Sequence, residues 1–214
     1  MEKLINFDDQ ITISSDDKIL NGRLVIPEES QAIIVFVGDL GHVLHNKTAL
    51  QLADYMQQEG FATLLVDLLT KEETLTSTQD LDINHIAHRV SDVRNWIAEN
   101  PQTEYMNTGF FSMNTGTAAV IKALNKPDSS INALVSLAGR PDLAQDSLKN
   151  INTPVLYLAG DADNANVTFH EKALSNFNSF SKLEVIADGG GDFLSPPILQ
   201  KVALLSKEWF IRHL

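Results

Sequence analysis

A mostly parallel, twisted sheet with helices on both faces and an antiparallel strand pair at its N-terminal end is the α/β fold class this sequence predicts. Three observations predict it. Roughly alternating apolar and polar residues near the N-terminus give way to continuous apolar runs, those runs alternate with segments of helical spacing, and 214 residues at 43% hydrophobic suffice for one substantial core. That length is short for two cores, so a single domain over 1–214 is expected.

The elements follow in order. ITISS and ILNGRLVIP read as an antiparallel edge pair, the second stopped by Pro27. AIIVFVG (32–38), FATLLVDLL (61–69), TGFFSM (108–113), NALVSLAG (132–139) and PVLYLAG (154–160) are continuous apolar runs, the pattern of strands buried on both faces; KLEVIA (182–187) supplies a last strand. Between them, 46–60 has helical spacing through Leu50, Ala53 and Met56 and a glycine stop at Gly60, and 83–100 places Ile86, Val90, Val93 and Ile97 on one face. Helices are also expected over 115–125, around 167–176, and from the proline pair at 196–197 to the C-terminus. In such a sheet, functional groups collect at the carboxyl ends of the strands, which directs attention to the loops after Val37, Leu68, Met113, Ala138, Ala159 and Ala187.

Charge and composition exclude several classes of function. Acidic residues outnumber basic ones 28 to 16, a net charge of −12, and that field opposes phosphate backbones and anionic lipid, so neither nucleic acid nor membrane is expected as a partner. MEKLINFDDQ has no basic segment followed by an apolar run, and no stretch approaches the ~18 apolar residues of a spanning helix, so a cytoplasmic location is the expectation. With no cysteine there is no disulfide framework, thiol nucleophile or thiolate metal site. Oligomeric state is not read from the sequence.

The decisive segment is NTGFFSMNTGTAAVIKAL, an apolar strand that turns within a few residues into a helix of small side chains. That is the shape of a nucleophile elbow, whose pattern G-x-S-x-G needs small residues two before and two after the nucleophile because strand and helix backbones pass close together. Here the five residues are Ser112, Met113, Asn114, Thr115 and Gly116, so the size rule is met while the centre is Asn. An elbow residue takes a positive φ, at a cost on the order of 1–3 kcal/mol for most side chains. Asn is enriched there, so the turn can persist without the chemistry.

With these residues in view, the chain resembles the small α/β hydrolases of the dienelactone-hydrolase-like group over roughly residues 19 to 214. The resemblance is carried by LNGRLVIPEESQAIIVFVGDLG, GFATLLVDLLTKEE, GFFSMNTGTAA, TPVLYLAGDAD and KEWFIRHL. It implies an α/β-hydrolase fold and a Ser–His–Asp mechanism in which Ser attacks an acyl carbon, His takes its proton and Asp orients the His. Matched residue by residue, the nucleophile position is Asn114, whose carboxamide has no ionisable proton at neutral pH. The acid position is Asp163, with Asp161 second, and the His position is Gly191, within ADGGGDFLSPP. The loop that contributes to the oxyanion hole reads Gly38, Asp39, Leu40, Gly41, where an acidic side chain opposes a developing oxyanion.

The resemblance therefore implies a hydrolase fold with no intact catalytic set, kept for small-molecule or protein binding. The pocket candidates are Asp39, Leu40, His42, Asn114, Thr115 and Asp163, and the expected ligand is acid-, ester- or lactone-like. The alternative is a hydrolase with a rebuilt site, using Ser112 or Thr115 as the hydroxyl and His42 or His45 as the base. No cofactor and no metal are expected. His42 and His45 lack a fixed carboxylate partner other than Asp39, GDADNAN lacks the closing Glu of a calcium loop, and the glycines at 189–191 precede no phosphate-binding phrase. His85 and His88 read as solvent-facing helix residues.

Overall fold

The structure, a computed structural model, describes residues 3–16, 18–38, 43–75, 82–126, 130–161, 167–169, 171, 174, 180–187 and 193–214. It contains one eight-stranded sheet. The strands are β1 (Ile5–Ser15), β2 (Lys18–Pro27), β3 (Ala32–Val37), β4 (Ala62–Val66), β5 (Asn107–Met113), β6 (Ile131–Leu137), β7 (Val155–Gly160) and β8 (Ser181–Ile186). Their order across the sheet is β1-β2-β4-β3-β5-β6-β7-β8, antiparallel for β1–β2 and β2–β4 and parallel from β4 onward. The helices are α1 (Lys47–Gln58), α2 (Lys71–Leu75), α3 (Ile83–Glu99), α4 (Gly116–Leu124), α5 (Gln145–Leu148) and α6 (Pro196–His213). The expected α/β-hydrolase fold is thus observed, and the short α2, α5 and the 3₁₀ turns Val43–His45 and Pro141–Ala144 are additions to the expected elements.

Period-two alternation within the buried strands sorts their side chains into two cores. Ile33, Val35 and Val37 join α3 and α4 on one face, whereas Ala32, Ile34 and Phe36 meet α1 and α6 on the other. The helices supply matching stripes: Ile86, Val90, Val93 and Ile97 from α3, Leu52 and Met56 from α1, Val202 and Phe210 from α6. Asn46 caps α1 by accepting a hydrogen bond from the Ala49 N–H at 2.9 Å. Gly60, at φ 93°, carries the chain out of that helix where a side chain would be strained.

One buried cation was not visible in the helical pattern. Arg89 on α3 is 1% exposed, and its guanidinium donates to the Leu68 carbonyl at 2.7 Å and to both Glu73 oxygens at 2.8 and 2.6 Å. The Arg89 partnership holds the Glu73 carboxyl down, to a pKa of about 2. This clasp fixes the loop after β4. From the same loop, the Asp67 carboxylate accepts from the Leu44 N–H at 3.2 Å and so helps hold the turn that carries His45.

The chain leaves β3 toward β4 on one side and returns to β5 on the other, which makes the carboxyl ends of β3 and β5 a topological switch point. Helices there diverge to opposite faces and leave a crevice. No helix among the described residues is long and apolar enough to cross a membrane.

Candidate functional site

The crevice is bounded below by the strand-to-helix turn between β5 and α4. Asn114 sits at its tip with φ 49° and is exposed. Its backbone is tied on several sides. The Asn114 N–H donates to the Leu137 carbonyl at 3.4 Å, and its carbonyl accepts from the N–H groups of Thr117 at 3.3 Å and Arg140 at 3.0 Å. Gly116 is required by contact as well as by pattern, because a Cβ there would lie 2.7 Å from the Gly38 carbonyl oxygen. The sharp strand-to-helix turn predicted from the small-residue spacing is therefore present in the backbone, with the Asn114 amide at its tip.

Beneath it lies a sealed network of hydroxyls. Ser112 Oγ and Thr117 Oγ1 are 2.9 Å apart, Thr117 Oγ1 and Ser136 Oγ 3.0 Å apart, and Ser112 also donates to the Val135 carbonyl at 3.4 Å. All three residues are 0% exposed. A side chain at Gly139 would strike this network, its Cβ falling 2.1 Å from Ser136 Oγ. The expectation that Ser112 could serve as a substitute nucleophile is thereby corrected, since its hydroxyl is spent on packing the strand against α4 and no substrate can reach it.

Above the turn is a cavity of about 390 Å³ lined by His45, Asn46, Lys47, Thr48, Met113, Asn114, Leu137, Ala138, Phe193 and Leu194. That is within the usual size of ligand pockets, roughly 300–1,000 Å³. Five described non-glycine residues have positive φ, and three of them, Asn114 (49°), Ala138 (47°) and Phe193 (51°), line this one cavity. An aromatic residue in that region is strained, and strain of this kind concentrates where the surrounding structure fixes a functional wall.

Of the residues singled out from the sequence, the structure brings Asn114 and His45 to the same cavity. Thr115 is half-buried at the start of α4 and does not line it. Asp161 is exposed at the end of β7, its N–H donating to the Ile186 carbonyl at 3.1 Å. Asp39, Leu40, Gly41, His42, Asp163 and Gly191 lie outside the described residues. Asn46, Lys47 and Thr48 were not anticipated as wall residues, although their place directly after the strand-end loop with His45 was the available signal. Phe193 and Leu194 gave none. Among the described residues no three His, Asp or Glu side chains gather as a metal site.

The model of the dienelactone hydrolase family matches residues 20–179, so the chain belongs to that family. A dienelactone hydrolase from Anabaena variabilis is 32% identical in sequence, with a TM-score of 0.91 covering 97% of this chain and 98% of that one. Est1E from Butyrivibrio proteoclasticus, at 15% identity and a TM-score of 0.75 over 94% of this chain and 99% of its own, shares the fold. Proteins from two strains of Mycobacterium tuberculosis, named "Putative phosphoribosyl transferase", are 34% identical over 207 residues. That match takes in 97% of this chain and 47% of theirs, so the chain spans about half the length of these relatives.

Proposed function

We propose that this chain keeps the hydrolase architecture to bind a small acid-, ester- or lactone-like molecule over Asn114, and does not carry out serine-hydrolase chemistry. The observation that carries the reading is Asn114 itself, held at φ 49° at the tip of the elbow and lining the cavity. A carboxamide there cannot form an acyl-enzyme, yet its polar end is well placed to hydrogen-bond a ligand. By resemblance the general base falls on Gly191 and the oxyanion loop carries Asp39, so three separated elements of the reaction are altered together.

The transferase name of the mycobacterial relatives belongs, on this reading, to the part of those proteins that lies outside the match. The shared half is the hydrolase-family sheet.

A second reading retains hydrolysis through a rebuilt site. It is favoured by one observation, that His45 lines the same cavity as Asn114. With Ser112 sealed away, its hydroxyl would have to come from Thr115, within about 2.6–3.2 Å of His45 or His42 in the reacting complex.

Assay of p-nitrophenyl acetate and butyrate separates the two. The binding reading expects turnover at background for the wild type, and Asn114→Ser alone restores nothing because the base position remains Gly191. Turnover well above background that is lost in Asn114→Ala overturns it, while turnover lost in His45→Ala but not in Asn114→Ala establishes the rebuilt site.

A further inference from the structure

Three polar side chains on the cavity wall have no partner among the described residues. His45, Lys47 and Asn114 all line the space, and none of their side chains makes a hydrogen bond or ion pair with another described residue. Several cations elsewhere are spent on acids, Arg23 on Asp8, Arg89 on Glu73, Arg140 on Asp142, Lys182 on Glu184 and Lys207 on Glu59, and none of these lines the cavity. Lys47 is exposed and its ammonium belongs to the lining of the cavity. No described lining residue is Asp or Glu.

The rest of the wall is apolar. Met113 and Leu137 end β5 and β6, and the strained backbone at Phe193 brings its side chain, 5% exposed, into the wall beside Leu194. The two halves differ in what they offer, one a cation and hydrogen-bond donors, the other a dry surface that gains by covering an apolar group.

We infer that the cavity selects a small organic anion with an apolar body, the charged head held by Lys47 and His45 and the body lying on Met113, Leu137, Phe193 and Leu194. This rests on the binding reading given above and narrows it, choosing the acid over the ester and the lactone. The physical reason is one of balance. A neutral ester of the same shape covers the apolar wall equally well, but it partly desolvates the Lys47 ammonium and returns no charge to it. A carboxylate returns a charge-assisted hydrogen bond, the stronger kind. The long-range field of a −12 chain repels every anion alike, so discrimination falls to the local cation. His45 adds an N–H donor in any of its ring forms, and the Asn114 amide can donate to the second carboxylate oxygen.

The test uses the full chain and three probes of one shape, phenylacetate, methyl phenylacetate and phenylacetamide, titrated by calorimetry at constant ionic strength. The expected result is that phenylacetate binds at least about tenfold tighter than either neutral probe, the ratio that one charge-assisted hydrogen bond supplies. Lys47→Met should lower phenylacetate affinity by about the same factor and leave the neutral probes unchanged, and Lys47→Glu should abolish anion binding. Lys201→Met, which removes a cation from the exposed side of α6, should change nothing. Neutral probes that bind as well as phenylacetate, an equal loss in the Lys201 variant, or no binding of any probe each overturns the anion assignment. The underlying reading fails separately, through ester turnover, so the two failures can be told apart.

Discussion

The two sides of the β5–α4 turn contrast sharply over a span of a few residues. Below it, Ser112, Thr117 and Ser136 are fully buried and bond to one another; above it, His45, Lys47 and the Asn114 amide line a cavity and make no hydrogen bond with another described side chain. Buried hydroxyls that satisfy each other maintain a structure, whereas polar groups left unspent around a concave, partly apolar surface serve something that arrives. On the proposed reading, keeping an elbow and keeping its chemistry are separable, because the requirements for the turn lie under it and those for the reaction lie on top.

If that division is right, substitutions in the support cost stability, while open-wall substitutions that leave the backbone unstrained cost binding and leave stability alone. The largest loss is expected at the clasp that fixes the β4 loop. Arg89→Met should destabilise by about 3 kcal/mol in denaturant unfolding, at the low end for a broken buried pair because the Glu73 side chain, 27% exposed, can regain water. Gly116→Ala comes next, about 2 kcal/mol, since the added Cβ meets the Gly38 backbone oxygen, which cannot swing aside. Thr117→Val keeps the shape but takes the central hydroxyl from the network and should cost roughly 1–2 kcal/mol. At Asn114 the backbone alone decides stability: Asn114→Gly should stay within roughly 0.5 kcal/mol of wild type, while Asn114→Val, β-branched at φ 49°, should lose about 1–3 kcal/mol. A support variant that unfolds no more readily than wild type, or a Lys47→Met variant that does, would break the comparison.

The pH dependence sharpens it further. Glu73 is held from its ordinary 4.5 down to about 2 by Arg89, so its contribution is present above the unfolded value and is lost as pH falls through the folded one. Stability of the wild type should therefore decline between about pH 4.5 and 2 more steeply than that of Glu73→Gln. Equal slopes would mean that the clasp contributes nothing to the fold.

Much of the fold was legible in the sequence, because doubly covered strands read as unbroken apolar runs and the helices between them kept their three-and-four spacing. The elbow was legible for a different reason, the small residues at Ser112 and Gly116 flanking an Asn able to hold positive φ. The same double burial hid the fate of Ser112: in GFFSM both faces are covered, so alternation does not distinguish a serine aimed at the crevice from one aimed under α4. Arg89 was invisible because the partner that permits its burial, Glu73, lies 16 residues away and on another element. Asn46, Lys47, Thr48 and Phe193 became wall residues through the meeting of four chain segments, a relation that no single window of sequence contains.

The central claim is that no side chain in the cavity acts as an acyl-accepting nucleophile. Its most direct test is intact-mass spectrometry of the full chain after incubation with an excess of a fluorophosphonate directed at serine hydrolases, a reagent that would also trap a rebuilt Thr115 site. The account predicts the unmodified mass for wild type and for Asn114→Ala alike. A stoichiometric adduct on the wild type, mapped by peptide digestion to a residue of the cavity or of the β5–α4 turn, would contradict it.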